Sequence, residues 1–199
     1  ALREMADLGA TAMLPGHGEA IVNSEMIRSE LRILADALAH IIDQVVDGLN
    51  ARLRKDQIVD CLNWPARFAD HPTLAVTYVS PQDIARMVLK RWTGWWDDIP
   101  SHWSPAPVAD QARTIAALAG GVNSLVEVAR TLIDHDLTQA CHLADWAWYA
   151  QPDHPEVPQL VIDVYRARIL DPASNTQEMT VYLDHMAAAR AQQLQAGHR

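Results

Sequence analysis

Residues 80–100 read S-P-Q-D-I-A-R-M-V-L-K-R-W-T-G-W-W-D-D-I-P, and the fold assignment of the whole chain starts from this stretch. Ser80, Pro81 and Asp83 predict a helix start, because the hydroxyl and the carboxylate accept from free first-turn amides and proline needs no amide partner. Gly94 predicts the end of that helix. The apolar positions between them recur at helical spacing: Ile84, Met87, Val88 and Trp92.

The segment R-W-T-G-W-W-D-D-I-P, residues 91–100, resembles the R-Y-L-G-W-Y-D-G-N-P segment of alkyl sulfatases of the metallo-β-lactamase superfamily. In that family the segment opens the α-helical dimerisation domain. Asp98 and Ile99 stand where the family has Gly and Asn, so an easy positive-φ turn and an amide are missing here. The resemblance implies a homodimer and, in a longer protein, a small-molecule alkyl sulfate or related ester as substrate.

Composition and charge limit the partners that this chain of 199 residues can be expected to have. Sixteen Lys+Arg against twenty-five Asp+Glu give a net charge of −9, and the basic residues are scattered, which argues against nucleic acid. No apolar run approaches the roughly 20 residues of a membrane helix, so no membrane partner is expected. The start at Ala1 without methionine predicts a piece of a longer protein, for which a cytoplasmic location is favoured. Cys61 and Cys141 are interpreted as buried free thiols.

The N-terminal region predicts the end of a metal-binding domain. A helix is expected to close at Gly9, followed by a buried strand over Thr11–Leu14 that leads into the Gly-flanked His17. By itself, Gly-His-Gly is also typical of a solvated loop histidine. The stretch L-P-G-H-G is, however, similar to the motif that presents a histidine to the second metal late in metallo-β-lactamase-like domains. By that resemblance His17 is the candidate zinc ligand.

A long amphipathic helix is predicted from about Ser24 to Arg52, with an apolar stripe in steps of three and four. At about 1.5 Å per residue it would be roughly 40 Å long. That length fits a helix that bridges two domains or pairs with a partner, and it equally fits burial within its own domain. The stripe consists of Ile27, Leu31, Leu34, Leu38, Ile41, Ile42, Val45 and Leu49.

The remainder is predicted to be helical apart from the proline-containing residues 63–79. A short helix is expected over residues 53–62, and later helices are expected at about Val108–Leu118, 122–132, 140–151, 155–170 and 174–194. Ala140, Ala144, Ala147 and Pro152 have a spacing similar to the second helix of a tetratricopeptide repeat, in which small residues allow close helix approach. Only one such unit is clear, so a repeat array is not predicted.

The sequence does not contain the residues of a complete catalytic site. Nine histidines include neither His-x-His nor His-x-Glu-His, and no nucleophile lies in a Gly-flanked elbow. The resemblance implies two zinc ions in the longer protein, with most ligands in an upstream His-x-His-x-Asp-His stretch and in acidic residues outside this sequence. This chain alone is therefore expected to be inactive.

The tryptophans allow two interpretations. Seven Trp against one Phe is unusual, and four of them fall close together: Trp92, Trp95, Trp96 and Trp103. They could pack the junction between two domains, since indoles contribute large buried areas. Alternatively, some of them wall a channel for an alkyl chain, with Asp97 and His102 near the cleft.

Together these features predict a mainly α chain. Residues 1–52 would be the last strand and helix of a metallo-β-lactamase-like αββα domain, and residues 53–199 an all-α dimerisation domain with tetratricopeptide-like helical hairpins. The predicted function is the C-terminal part of a zinc-dependent hydrolase that resembles alkyl sulfatases, contributing dimer contacts and His17. The alternatives are a non-catalytic helical interaction module and a metallo-β-lactamase-fold hydrolase of another ester or thioester.

Overall fold

The computed structural model describes residues 1–196, and it is mainly α-helical. The chain divides into two compact units, Ala1–Pro100 and the residues from Ser101 onward. The predicted division between residues 52 and 53 concerns a longer protein and stays a prediction. The helices are α1 Leu2–Ala6, α2 Ser24–Asn50, α3 Lys55–Asp60, α4 Ala66–Ala69, α5 Pro81–Thr93, α6 Val108–Leu118, α7 Val122–Leu132, α8 Leu137–Ala150, α9 Val157–Leu170 and α10 Thr176–Ala196, with 3-10 turns at Pro72–Leu74 and Pro100–His102.

Helix α2 forms as its periodicity predicts and ends two residues early. The Asn23 side chain caps it by accepting from the Met26 amide at 2.9 Å. The chain leaves the helix where Arg52 takes a positive φ of 58°. Within the predicted stripe Ile27, Leu31, Ile41 and Val45 are buried, whereas Leu34, Leu38, Ile42 and Leu49 are only half-buried. The structure also buries Ala37 and Gly48, whose small size lets neighbouring elements approach.

The main core of the first unit lies where α2, α3 and α5 meet. Each of the three helices packs against the other two. The fully buried members of this cluster are Ile41, Val45, Ile58, Val59, Ala85 and Leu89. A smaller cluster of Ala6, Ile27 and Leu31 joins α1 to the start of α2. Of the two interpretations of the length of α2, burial against its own unit is therefore observed along the helix.

Helix α5 begins and ends as the sequence predicts. The Ser80 hydroxyl accepts from the Asp83 amide at 3.1 Å, and the Asp83 carboxylate accepts from the Ser80 amide at 2.9 Å, which completes a capping box. Pro81 occupies the first turn, where its missing amide proton has no cost. At the other end Gly94 has a φ of +80°, a conformation that side chains with a Cβ rarely adopt.

The predicted buried strand over Thr11–Leu14 is wrong for the described part of the chain. Residues 1–196 contain no strand, and this segment forms one isolated antiparallel bridge between Met13 and Ile21. Leu14 is 83% exposed rather than buried. A short apolar run becomes a buried strand only if neighbouring strands accept its hydrogen bonds, and Ile21 is its single partner here.

The segment from residue 63 to residue 79 is more ordered than predicted. The four-residue helix α4 and the 3-10 turn at Pro72–Leu74 lie within it. Phe68 is almost completely buried and its ring packs against Trp64 and His40, with ring centroids 5.1 and 5.5 Å away. Two prolines prevent a long helix in this segment, but a single buried aromatic ring is sufficient to anchor one turn.

The second unit is a succession of helices joined by short turns. Helix α7 packs against α8, α8 against α9, and α9 against α10, while α6 also packs on α8. Ala140, Ala144 and Ala147 of α8 have no exposed surface, as expected for positions that permit close helix packing. The bounds Val108–Leu118 match the prediction. The likeness to tetratricopeptide hairpins stays a prediction.

None of the described helices is, by itself, both long and apolar enough to cross a lipid bilayer. Helices α6 and α7 meet the same criterion of length and composition only as a pair, and they are bent by 87° at the break between them.

Candidate functional site

The candidate zinc ligand His17 lies on the loop that the Met13–Ile21 bridge closes. Its imidazole is exposed, and the Nδ1 atom lies 3.4 Å from the Tyr78 hydroxyl. The two rings are tilted with their centroids 4.9 Å apart. Gly18, with a φ of +93°, allows the sharp turn that sequence analysis expected beside the histidine. The Tyr78 contact had no sequence signal, because sixty-one residues separate the two side chains.

The described residues do not bring a set of metal ligands to His17. Across residues 1–196 no group of three or more His, Cys, Asp or Glu side chains is placed to hold a metal ion. Zinc sites need three or four protein ligands. The zinc role of His17 therefore stays a prediction.

The four tryptophans that lie close together in the sequence are mostly exposed. Trp92 is 52% exposed, and Trp95 and Trp103 are exposed to a similar extent. Trp96 is half-buried, and its indole Nε1 donates to the Ile99 carbonyl at 2.9 Å. The junction and the channel interpretations of these indoles both stay predictions.

A cleft of about 330 Å³ in the first unit lies between α3, α5 and the loop after Gly94. Val59 and Leu89 contribute apolar surface, and Trp95 lines one side. The Lys55 ammonium donates to the carbonyls of Gly94 and Trp96, which fixes the loop to α3. Cationic and acidic side chains both line the cleft, so the cleft has no clear charge preference.

A second cavity, in the second unit, was missed by sequence analysis. We call it the tyrosine groove; it has a volume of about 360 Å³ and receives side chains from α8, α9 and α10. Its lining consists of Asp145, Tyr149, Tyr165, Val181, Tyr182, Asp184, His185 and Ala188. The spacings Asp145 to Tyr149 and Val181 to His185 place pairs on single helix faces, but no sequence signal joins the three helices.

Hydrogen bonds fix most of the polar groups beside the tyrosine groove. The Tyr165 hydroxyl donates to Asp145 Oδ1 at 2.6 Å. Burial, and then this hydrogen bond to the carboxylate, raise the pKa of Tyr165 above its ordinary value, so its phenol stays a donor. Arg168 is neutralised by Asp171 and Glu178 at 3.1 and 3.0 Å.

The two cysteines differ in their surroundings. Cys61 is exposed, which corrects the expectation that it is buried, because α3 ends just before it and turns its side chain outward. Cys141 is half-buried, and burial raises the pKa of its thiol to about 11. Both are free thiols, and neither belongs to a metal-binding group among the described residues.

Helix α10 carries apolar side chains on two faces. Met186 and Ala189 are buried in the core of the second unit. On another face, at intervals of three and four residues, lies an exposed row that we call the α10 stripe: Leu183, Ala187, Ala191 and Leu194. A helix that is apolar on both faces is usually covered on both faces.

Comparison with known proteins gives consistent matches along the chain. The family described as alkyl sulfatase dimerisation matches residues 54–192. A linear primary-alkylsulfatase from Pseudomonas sp. (strain ATCC 19151) is 30% identical over 143 residues, which are 71% of this chain and 26% of that protein. This chain thus spans about a quarter of the length of the curated relative that it matches.

Two solved structures share the fold. One is a double mutant of the sec-alkyl sulfatase PisA1, with a TM-score of 0.83 at 19% identity, covering 96% of this chain and 30% of that one. The other is the stereoselective inverting sec-alkylsulfatase Pisa1 from Pseudomonas sp., with a TM-score of 0.82 at 19% identity and the same coverage. At this identity the structural likeness concerns the fold.

Proposed function

Because this chain belongs to the alkyl sulfatase dimerisation family, we propose that it joins two copies of a longer, metal-dependent alkyl sulfatase. The observation that carries the proposal is the family match over residues 54–192, supported by an alkylsulfatase relative about four times as long as the matched region. The catalytic centre would then lie mostly in parts of the longer protein that this chain does not include.

Residues 1–52 are proposed to be the end of the metal-binding domain of that longer protein. In support, the family match begins at residue 54, whereas the match to the solved sec-alkylsulfatase covers 96% of the chain and so extends into the earlier residues. The isolated Met13–Ile21 bridge also fits this proposal, because these residues would form a sheet together with strands of the longer protein.

The α10 stripe is proposed to pack against a second copy of this chain. Leu183 and Leu194 are both more than half exposed, which is unfavourable for leucines on a regular helix face unless something covers them. The family description names dimerisation, and the match includes most of α10. A second copy is therefore the occupant that these observations favour.

Light scattering on the chain tests the dimer. We expect a dimer at micromolar concentration, and we expect Leu183→Asp to weaken association by at least roughly tenfold, since it removes apolar burial worth about 1.5–3 kcal/mol. Leu118→Asp is the control, because Leu118 is an exposed leucine at the end of α6, outside the α10 stripe. A monomer across the micromolar range for the unmodified chain would refute the dimerisation role.

His17 is proposed to be one zinc ligand of the longer protein, which would bind two zinc ions. Its exposed imidazole on a glycine-flanked loop is free to face a metal held by other residues. When bound, zinc supplies the Lewis acidity that polarises an ester and activates water. The contribution of this chain would be one ring nitrogen, oriented by the Tyr78 hydroxyl.

Metal analysis of the full-length protein tests this role. We expect His17→Ala to lower the zinc content per subunit and to lower the hydrolysis of a linear alkyl sulfate such as dodecyl sulfate. His135→Ala, at an exposed histidine in the turn after α7, is the control and should change neither quantity. Unchanged zinc content in His17→Ala would exclude the ligand role. If His17→Ala loses zinc but the unmodified full-length protein hydrolyses only other esters or thioesters, the alternative hydrolase is favoured.

A further inference from the structure

A small pocket in the first unit has an almost wholly aliphatic lining. We call it the aliphatic pocket; it has a volume of about 140 Å³ and lies between α2, residues 73–79 and the start of α5. Leu34 and Leu38 line it from α2, Val79 from the loop and Ile84 from α5. None of the described side chains that line it carries a charge. The pocket therefore offers a ligand apolar contacts and no ion pair.

Only two of the lining side chains have a polar group. One is Thr73, whose hydroxyl already donates to the carboxylate of Glu30. The other is Trp64, which has a single N–H and whose ring packs on Phe68 with the centroids 5.1 Å apart. A buried water molecule needs about two to four hydrogen-bond partners. Because the lining provides so few, water in the pocket is held weakly, and an apolar group displaces it favourably.

Contacts behind the lining fix the walls of the pocket. The hydrogen bond from Thr73 to Glu30 joins the 3-10 turn after α4 to α2. The capping box between Ser80 and Asp83 fixes the start of α5, where Pro81 lines the pocket. Walls that are fixed in this way rearrange little when a ligand enters, so less of the binding free energy is lost in ordering them.

The size and the opening of the pocket suit the end of a hydrocarbon chain. An apolar cavity of about 150 Å³ holds a benzene molecule, so roughly six carbon atoms fit into this pocket. Thr73 and Ala75 are exposed at its edge, and the pocket is open to solvent there. A chain can thus enter by its apolar end while its polar head group stays in water, where it keeps its hydrogen bonds.

From these observations we propose that the aliphatic pocket binds the terminal carbon atoms of a linear alkyl amphiphile. Leu34, Leu38 and Ile84 contact the chain, and the head group lies outside the edge at Ala75. A soluble amphiphile is the occupant to which the proposal commits, because the pocket holds more carbon atoms than the aliphatic side chain of a leucine or an isoleucine. The site depends neither on the proposed dimerisation nor on the proposed zinc chemistry.

Titration of the chain with a series of linear alcohols tests the site. The indole N–H signal of Trp64 in NMR spectra is the local reporter, and that of Trp148, in the second unit, is the internal control. We expect the affinity to rise about fourfold for each CH₂ added from 1-butanol to 1-hexanol. Beyond about seven carbon atoms it should level off, because the pocket is then full. A uniform rise through 1-decanol, or no saturable shift at Trp64, would overturn the proposal.

Two pairs of variants make the test residue-specific. Ala75→Leu fills the edge of the pocket and should weaken 1-hexanol binding by at least about tenfold. Ala69→Leu is its matched control, since Ala69 is an exposed alanine of α4 that does not line the pocket. Val79→Thr keeps the shape of the lining but adds a hydroxyl, so binding should weaken by about threefold or more. Val76→Thr, at an exposed position outside the lining, is its control. Circular dichroism checks the fold of all four variants, and equal affinities within either pair would overturn the proposal.

The same titration on the full-length protein identifies the occupant. If a free amphiphile occupies the pocket, 1-hexanol should shift the Trp64 signal there too, and Ala75→Leu should weaken that binding to the same extent. If the full-length protein shows no saturable shift at Trp64, a segment from outside this chain fills the pocket, and the proposal is overturned.

Discussion

Gly48→Ala should destabilise the first unit even though alanine is the better helix former. Alanine gains about 0.8–1.0 kcal/mol over glycine in a helix interior. At this position, however, an added Cβ would lie 2.6 Å from Cγ1 and 3.0 Å from Cδ1 of Ile58. Ile58 is 4% exposed and branched at Cβ, so it has little room to move. Overpacking typically costs about 1–3 kcal/mol, which leaves a net loss of about 1 kcal/mol.

Urea unfolding combined with hydrogen exchange of the α3 amides measures this effect within the first unit. The two compact units need not unfold together, so the local readout is required. Ser29→Ala at an exposed α2 position is the control and should be neutral or slightly stabilising. In the double variant Gly48→Ala with Ile58→Ala, the clash is absent and the two changes should cost less than their sum. A stabilisation of about 1 kcal/mol by Gly48→Ala alone would refute the close contact between α2 and α3.

Three further predictions follow from single side chains. Burial would raise the pKa of Asp83, but hydrogen bonds from Ser80 outweigh it and hold that pKa below its ordinary value. The α5 cap should therefore stabilise the fold at pH values above the ordinary carboxyl pKa, and this contribution should be lost as the pH falls through the lowered pKa. In Asp83→Asn the melting temperature should accordingly fall less steeply with decreasing pH. Iodoacetamide at pH 7.5 should alkylate Cys61 well before Cys141, which mass spectrometry of timed digests would show, because burial raises the pKa of the Cys141 thiol to about 11; equal rates would contradict this. Asn175→Ala should lower the free energy of unfolding by about 1–2 kcal/mol in urea titrations, because the buried amide oxygen accepts from two first-turn amides of α10; a change below about 0.5 kcal/mol would argue against that cap.

The family and much of the helical architecture were accessible from the sequence. The segment at residues 91–100 carried the family resemblance, which the match over residues 54–192 confirms. The start and end of α5 were also predicted, because a serine cap, a proline in the first turn and a closing glycine act within one turn of the helix. The zinc role of His17 and the tetratricopeptide likeness remain predictions.

Other features required the tertiary structure. The run at Thr11–Leu14 has the composition of a buried strand, yet strand formation depends on hydrogen-bond partners that are distant in sequence, and within residues 1–196 this run pairs only with Ile21. The tyrosine groove was not predicted, because Tyr149, Tyr165 and His185 come from three helices. The close contact at Gly48 likewise depends on where α3 packs.

The sequence alone thus indicated the longer helices, the cap and the closing glycine of α5 and the family to which the chain belongs, since these signals are carried by residues within a turn or two of one another. The packing of those helices determined which residues are buried, which apolar face of α10 stays exposed and which polar groups line a common groove. The physical reason is that local backbone preferences act between near neighbours along the chain, whereas burial and side-chain contacts are set by the mutual fit of surfaces that the chain brings together only on folding.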